Sequence, residues 1–260
     1  NDSFTSRWLV RKSSDGGSTW NTSDEFFLNS SNEAMAMSLA ESSINNNLYT
    51  VGFAIPTAGV RQWIVRRSSD AAASWTTKDT YSLQAGYESI ANDVAVDSAG
   101  SIFVVGEAST SSSGKMWVVR KSTDHGDTWS TIKTYNNSPY DAAAKAVLVD
   151  NGNGHIFVGG YATSGIPGNF YAQILKSSDG GASWSLVDTY QLSASKKSEY
   201  NSLIRDSSGI LYASGTFVDS ANIKHWFVRK SIDGGNTWTT ARNIVFSSGY
   251  DSEVHTLTAD

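Results

Sequence analysis

The sequence predicts an all-β protein assembled from about five copies of one four-stranded antiparallel unit. A ten-residue stretch, RKSSDGGSTW at 11–20, returns as RRSSDAAASW (66–75), RKSTDHGDTW (120–129), LKSSDGGASW (175–184) and RKSIDGGNTW (229–238). Its aspartates, Asp15, Asp70, Asp124, Asp179 and Asp233, are 55, 54, 55 and 54 residues apart, so one supersecondary unit serves the whole chain. Between the copies lie short runs of β-branched and aromatic residues bounded by Gly, Ser, Asp and Asn, and no window has the period of a long amphipathic helix.

Each unit reads as four strands of 5–8 residues. The first is AMAMSLA, ANDVAVD, AKAVLVD, YNSLIRD or VHTLTAD, and the second LYTVGFA, IFVVGEA, IFVGGYA or LYASGTF. The third carries WLVRKS, WIVRRS, WVVRKS, QILKSS or WFVRKS, and the fourth begins at the motif tryptophan. Repeated four-stranded antiparallel units without helices describe a β-propeller of about five blades in a single domain, 1–260. The chain starts with a third strand and ends with a first strand, VHTLTAD. The two ends are therefore expected to share a closing blade, which either lacks one strand or is completed beyond Asp260 in a longer parent protein.

Composition narrows the function classes. The chain is 39% hydrophobic and 17% charged, so it can build a core, and its net charge of −5 with interspersed signs argues against nucleic acid as a partner. There is no cysteine, which removes disulfides, thiol catalysis and thiolate metal sites. No apolar run approaches the roughly 18 residues of a membrane helix, so no membrane insertion is expected. No signal peptide is visible. Abundant Ser, Thr, Asn and Gly with few Lys and Glu suits an extracellular or surface location, in a bacterium.

The repeated stretch fits a turn. Ser13, Asp15, Gly17 and Trp20 follow the pattern S-x-D-x-G-x-x-W, as do Ser122, Asp124, Gly126 and Trp129, then Ser177, Asp179, Gly181 and Trp184, then Ser231, Asp233, Gly235 and Trp238. The second copy keeps Ser68, Asp70 and Trp75 but has Ala72 for the glycine. An aspartate can accept from turn N–H groups, glycine supplies positive φ, and tryptophan fastens the turn by its area. Ala72 implies either a negative φ or strain there. This pattern resembles the Asp box, or bacterial neuraminidase repeat, of sialidase-like propellers and their non-enzymatic relatives. The resemblance covers the full chain. It implies that these turns are structural and lie on the face opposite the ligand. The strand arginines Arg11, Arg66, Arg120 and Arg229, with Leu175 breaking the series, read as residues covering an aromatic or pairing with a neighbouring carboxylate rather than as anion sites.

Signals of catalysis are weak. The Arg-Ile-Pro tripeptide, the arginine triad and the six blades that the resemblance implies for active sialidases have no counterpart; the prolines are Pro56, Pro139 and Pro167. A glycosidase needs two placed carboxylates, and spacing singles out no pair among Glu88, Glu107, Asp93 and Asp141. His125, His155, His225 and His255 stand in no nucleophile or metal context. DNGNG (150–154) reads as a turn rather than a calcium loop, and neither metal nor cofactor is expected.

Comparison among the copies points to a ligand surface. The second residue of the first strand varies, Met35, Asn92, Lys145, Asn201 and His255, while the fourth stays apolar, Met37, Val94, Val147, Leu203 and Leu257. Strict alternation would put both sets on one side of the strand. The connections around the start of that strand hold YES (87–89), YDA (140–142) and YDS (250–252), and Phe53, Glu107, Tyr161 and Thr216 follow the second-strand glycine. Aromatics beside carboxylates and amides suit a sugar. The candidate ligand residues are Tyr87, Glu88, Asn92, Asp93, Glu107, Tyr140, Asp141, Lys145, Tyr161, Asn201, Tyr250, Asp251 and His255. Tyr87, Tyr140 and Tyr250 also fit packing between blades. These observations favour a non-enzymatic, lectin-like or adhesin-like domain, at a fibre tip or other cell surface, with a glycan partner. The alternatives are a protein–protein scaffold and, less favoured, a sialidase-like hydrolase.

Overall fold

The structure is a computed structural model that describes residues 6–57, 59–136, 141–163, 165, 169–244 and 249–259. Among them are eighteen strands and no helix. A two-stranded sheet pairs β1 (Trp8–Lys12) with β2 (Asn21–Phe26). Four four-stranded sheets follow. The first holds β3 (Ala34–Glu41), β4 (Leu48–Ala54), β5 (Gln62–Ser68) and β6 (Thr76–Tyr81). The second holds β7 (Ser89–Val96), β8 (Ile102–Ala108), β9 (Met116–Ser122) and β10 (Ser130–Tyr135). The third holds β11 (Ala142–Asp150), β12 (His155–Thr163), β13 (Phe170–Ser177) and β14 (Ser185–Tyr190). The last holds β15 (Ser198–Arg205), β16 (Leu211–Val218), β17 (Lys224–Ser231) and β18 (Thr239–Ile244). Each is a meander in chain order. The chain forms two compact units, Asn1–Ser111 with Val119–Thr131, and Ser112–Val118 with Ile132–Asp260.

One expected strand is absent. Among the described residues, 254–259 of VHTLTAD form no strand, and 251–259 run without ladder pairing. Side chains hold this segment instead. Asn201 Nδ2 donates to the Val254 carbonyl at 2.9 Å, and the Leu257 N–H donates to Ser202 Oγ at 3.1 Å.

Within each unit the sheets are joined by a repeated clamp. Arg66 of β5 donates from Nε and Nη2 to Asp24 of β2, at 2.7 and 2.8 Å. Arg120 of β9 does the same to Asp79 of β6, at 2.7 and 3.1 Å. Arg229 of β17 holds Asp188 of β14 at 3.0 and 2.6 Å. Each guanidinium also donates from Nη1 to a threonine on its own fourth strand, Thr77, Thr131 or Thr240, at 3.0 Å. Each lies over an aromatic of the neighbouring sheet: Phe26 at 4.2 Å, Tyr81 at 4.1 Å and Tyr190 at 4.7 Å. The planar fork meets the carboxylate on two parallel bonds, and Nη1 finds the threonine oxygen, so the buried charges are paired. At the remaining repeat position of this series both residue types change together: Leu175 replaces the arginine, and Lys133 of β10 stands where β2, β6 and β14 have aspartate. Arg11 is exposed and donates to the Trp20 carbonyl.

A second repeated device sits in every first strand. The register skips Met37, Asn92, Lys145 and Asn201, each a β-bulge. This corrects the alternation expected from sequence. Met37, not Met35, is the counterpart of Asn92, Lys145 and Asn201, and it is 46% exposed rather than packed. The bulge turns its residue out of the pleat, so variable and apolar positions need not share a side. Opposite each bulge stands a second-strand glycine. A Cβ on Gly52, Gly106, Gly160 or Gly215 would lie 1.9–2.0 Å from a carbonyl oxygen of the first strand. At Gly52 and Gly106 it would also strike Trp8 and Trp63, the third-strand tryptophans of the preceding sheets, at 2.7 and 2.6 Å. Trp8, Trp63 and Trp117 are fully buried and meet Phe26, Tyr81 and Tyr135 edge to face at 5.9, 6.0 and 5.3 Å.

The repeated turns join third and fourth strands. In each, the serine hydroxyl donates to the aspartate Oδ1 at 2.7–2.8 Å. The same serine oxygen accepts the N–H four residues on, from Gly17, Ala72, Gly126, Gly181 or Gly235, at 2.8–2.9 Å. The aspartate Oδ1 accepts the N–H of Thr19, Ser74, Thr128, Ser183 or Thr237 at 2.8–3.0 Å, and Oδ2 accepts that residue's hydroxyl. This hydroxyl recurs in every copy and extends the motif to S-x-D-x-x-x-[ST]-W. Its bond, then that of its N–H, holds the carboxyls of Asp15 and Asp179 down at about 2, and those of Asp70, Asp124 and Asp233 well below the usual carboxylate range. Trp20, Trp129 and Trp184 donate from Nε1 to the carbonyl of Gly17, Gly126 or Gly181 at 2.9–3.0 Å. Trp238 is buried. The second copy departs as its alanine requires. Ala71 and Ala72 have φ of 57° and 65°, which settles the alternative as strain, and the Trp75 indole donates to Ser23 on β2 at 2.9 Å.

Three outcomes test this scaffold. Arg229→Met leaves Asp188 charged and buried, and urea denaturation is expected to show a loss of about 3–5 kcal/mol, against less than about 1 kcal/mol for the exposed counterpart Arg11→Met. Gly106→Ala forces the bulge and Trp63 apart and is expected to cost at least about 1–3 kcal/mol in the same measurement. The depressed turn carboxyls stabilise the fold above their unfolded value near 3.8, and that stabilisation is lost as pH falls towards the folded value. The melting temperature is therefore expected to drop between pH about 4 and about 2, with a shallower drop in Asp179→Asn.

Candidate functional site at the loop end of the sheets

Antiparallel register puts the repeated turns at one end of each sheet and the variable loops at the other. Ala34 pairs with Ala54, Ala54 with Gln62, and Trp63 with Tyr81, so the first strand's start, the second's end, the third's start and the fourth's end share the loop end. The repeated turn connects the opposite ends of β5 and β6.

The loop end carries two series of charges at fixed repeat positions. The residue before each first strand is Glu33, Glu88, Asp141 or Lys197, with Asp251 at the same place ahead of the strandless segment. Two residues before the third-strand tryptophan stand Arg61, Lys115 and Lys224, with Phe170 in the remaining four-stranded unit. Backbone bonds bring the series together. The Arg61 carbonyl accepts the Ser89 N–H at 2.9 Å, Lys115 accepts Ala142 at 2.7 Å, and Lys224 accepts Ser252 at 2.9 Å. Each cation-bearing residue therefore lies beside an acid of the following repeat.

In the first compact unit the result is a three-membered cluster. Arg61 donates from Nε and Nη2 to Glu33 Oε2 at 3.3 and 2.9 Å, while its Nη1 lies 4.0 Å from Glu88 Oε1. The guanidinium lies 4.8 Å above the ring of Phe53, which is buried. All three charged side chains remain partly open to solvent. Glu88, one of the sequence candidates, is thus in the cluster. Tyr87 is half-buried and donates its N–H to the Gln84 carbonyl. Glu107 is buried in β8 opposite Ile90. Asp93 follows the Asn92 bulge and accepts from Ser38 Oγ at 2.6 Å and from the Val94 N–H.

The second unit holds the other candidates. Asp141 accepts the Lys115 N–H at 2.9 Å, and Asp251 accepts the Lys224 N–H at 2.9 Å. Lys224 Nζ also pairs with Glu253, whose hydrogen bond raises the lysine and whose own carboxyl the lysine lowers. Lys145, at its bulge, and Tyr161 lie together with Lys197 and Glu199. Asn201 is engaged with Val254, and Tyr250 and His255 are exposed without strand support. Tyr140 lies outside the described residues. Sequence reading missed Glu33, Arg61, Lys197 and Glu199. The first three occupy the fixed repeat positions above, so their signal was present in the spacing.

Among the described residues, no group of three or more His, Asp or Glu could hold a metal ion. In DNGNG, Asp150 Oδ1 accepts the Gly152 N–H at 2.9 Å and pairs with Arg205 at 3.0 Å. The carboxylate thus serves its turn and an ion pair.

No family model and no curated protein matches the sequence. Solved structures do. An α-L-arabinanase from Penicillium chrysogenum is similar with a TM-score of 0.59 at 12% identity, over 84% of this chain and 69% of that one. A protein of unknown function from Dyadobacter fermentans gives 0.56 at 17%, over 78% and 67%. An ulvan lyase of polysaccharide lyase family PL25 gives 0.57 at 10%, over 88% of this chain but 58% of the lyase. These likenesses show the fold: the four-stranded sheets are those of a β-propeller. They also correct the expectation of a non-enzymatic, lectin-like domain. That expectation measured the chain against sialidases, whereas the propellers it is similar to include an arabinanase and a polysaccharide lyase. Lacking a sialidase signature therefore does not separate this chain from enzymes.

Proposed function

We propose that the protein is a carbohydrate-active enzyme that cleaves a polysaccharide, and that Glu33 and Glu88 do the acid–base work. The observation that carries this reading is the pair of carboxylates on one guanidinium: Glu33 hydrogen-bonded to Arg61, and Glu88 at its far nitrogen. Glycoside hydrolysis needs two carboxyl groups about 5–9.5 Å apart on either side of the scissile bond, and Glu33 and Glu88 stand at different nitrogens of one guanidinium, at 2.9 and 4.0 Å. Arg61 fixes Glu33 by two hydrogen bonds and holds Glu88 more loosely, at 4.0 Å. Glu33 is the oriented base or nucleophile, and Glu88 the acid that reaches the leaving oxygen. In the version with a water nucleophile, Glu33 takes the water proton as the oxygen attacks the anomeric carbon, and Glu88 gives its proton to the departing sugar.

The arabinanase and lyase likenesses support this class without naming the substrate. The reading includes an extracellular or surface location, where polysaccharide is found, and a glycan as the partner. It also includes the kinship with Asp-box propellers, supported by the five repeated turns, whose aspartates and tryptophans serve the scaffold.

The test is release of reducing ends or unsaturated products from a panel of arabinan, ulvan and related plant and algal polysaccharides. Turnover on at least one member is expected. Glu33→Gln and Glu88→Gln should each lower kcat by at least about 100-fold with the melting temperature unchanged. Full turnover in both variants would remove these residues from the reaction.

A further inference from the structure

We propose that Lys145, Tyr161, Lys197 and Glu199 form a subsite for an anionic sugar, one bearing a carboxylate or a sulfate ester. The proposal rests on the reading of the protein as polysaccharide-cleaving and names its substrate class. Tyr161 of β12 is the centre of the cluster. Lys197 Nζ lies 4.7 Å from its ring centroid and Lys145 Nζ 6.0 Å. Phe170 backs the ring edge to face at 5.0 Å, fixing its plane. Glu199 is held on both sides, by Lys197 at 2.8 Å and by Thr216 Oγ1 at 3.3 Å. Lys197 remains 41% exposed, and one of its three donors goes to Glu199.

Two departures from the repeat meet here. At the bulge, the other sheets carry Met37, Asn92 and Asn201; this one carries Lys145. Before the first strand, the other repeats carry Glu33, Glu88, Asp141 and Asp251; the repeat that follows Lys145's carries Lys197 ahead of β15. A scaffold role would call for the same residue type in every copy, as the glycine opposite each bulge does. Here the acid is exchanged for a base, and a second base arrives on the neighbouring bulge, over one aromatic ring. Two ammoniums set by one ring can share an anionic substituent through charge-assisted hydrogen bonds. Glu199 then accepts from the sugar hydroxyls.

The test titrates the full chain, by calorimetry and by amide shifts in NMR spectra, with three probes: tetragalacturonate, a sulfated galactose oligosaccharide and neutral arabinotetraose. At least one acidic probe is expected to bind about 10-fold more tightly than the neutral one. Its affinity should fall as salt rises, and the probe that binds tells carboxylate from sulfate. Lys145→Gln and Lys197→Gln should each abolish that preference, and Lys197→Arg should keep it. Equal binding of acidic and neutral probes, or an acidic preference untouched in both glutamine variants, would overturn the subsite. Binding is read without turnover, so a protein that cleaves no polysaccharide would refute the enzymatic reading while these titrations still decide the subsite.

Discussion

The buried arginine–aspartate clamp is the interaction on which the packing of neighbouring sheets depends. Within each compact unit a sheet buries its apolar residues against its neighbour, but apolar contact alone does not fix how far one sheet slides along another. A bidentate bond from a third strand to the preceding sheet's fourth strand does. In the clamps from Arg66 and Arg229 the guanidinium also takes the carbonyl of Trp75 or Trp238, so the clamp secures the base of the repeated turn as well. Tyr200 joins the last one, donating to Asp188, and burial with that carboxylate raises its hydroxyl well above the ordinary tyrosine value. Leu175 and Lys133 show the rule from its exception: the arginine and its carboxylate are lost together, because either alone would be a buried unpaired charge.

The bulge and its facing glycine act at the other end of the sheet. A bulge needs one residue without a ladder partner and a neighbour without a side chain where the two backbones close up. Gly52, Gly106, Gly160 and Gly215 meet the second need. The first frees one position per repeat from packing, and there the chain places methionine, asparagine or lysine. Variation is thus concentrated where the scaffold imposes least. The two candidate sites lie at this loop end of their sheets, one built on Arg61 with two glutamates and one on Tyr161 with two lysines.

The opposite end is uniform for a reason that belongs to the turn itself. Each aspartate accepts from two hydroxyls and from backbone N–H within seven residues of sequence, and its low carboxyl value follows from those bonds. Such a turn is complete in itself and can be repeated unchanged. The loop end has no local closure of that kind. Its groups find partners in the next repeat, as the Arg61 guanidinium finds Glu88 and the Lys115 N–H finds Asp141.

The sequence by itself determined what is periodic or local: the all-β class, the four-strand unit, the turn with its serine and aspartate, and the positions of the clamp arginines. Hydrophobic alternation and turn chemistry are short-range, so one chain suffices to read them. Tertiary structure decided what depends on register and on neighbours. A bulge shifts side-chain direction by one residue, which is why Met35 stood in for Met37 and why two positions seemed to collide on one side. VHTLTAD has the residues of a first strand but no ladder partner among the described residues, and propensity without a partner makes no strand. Glu33 and Glu88 are 55 residues apart, and only the path of β5 to Arg61 brings their carboxylates to one guanidinium.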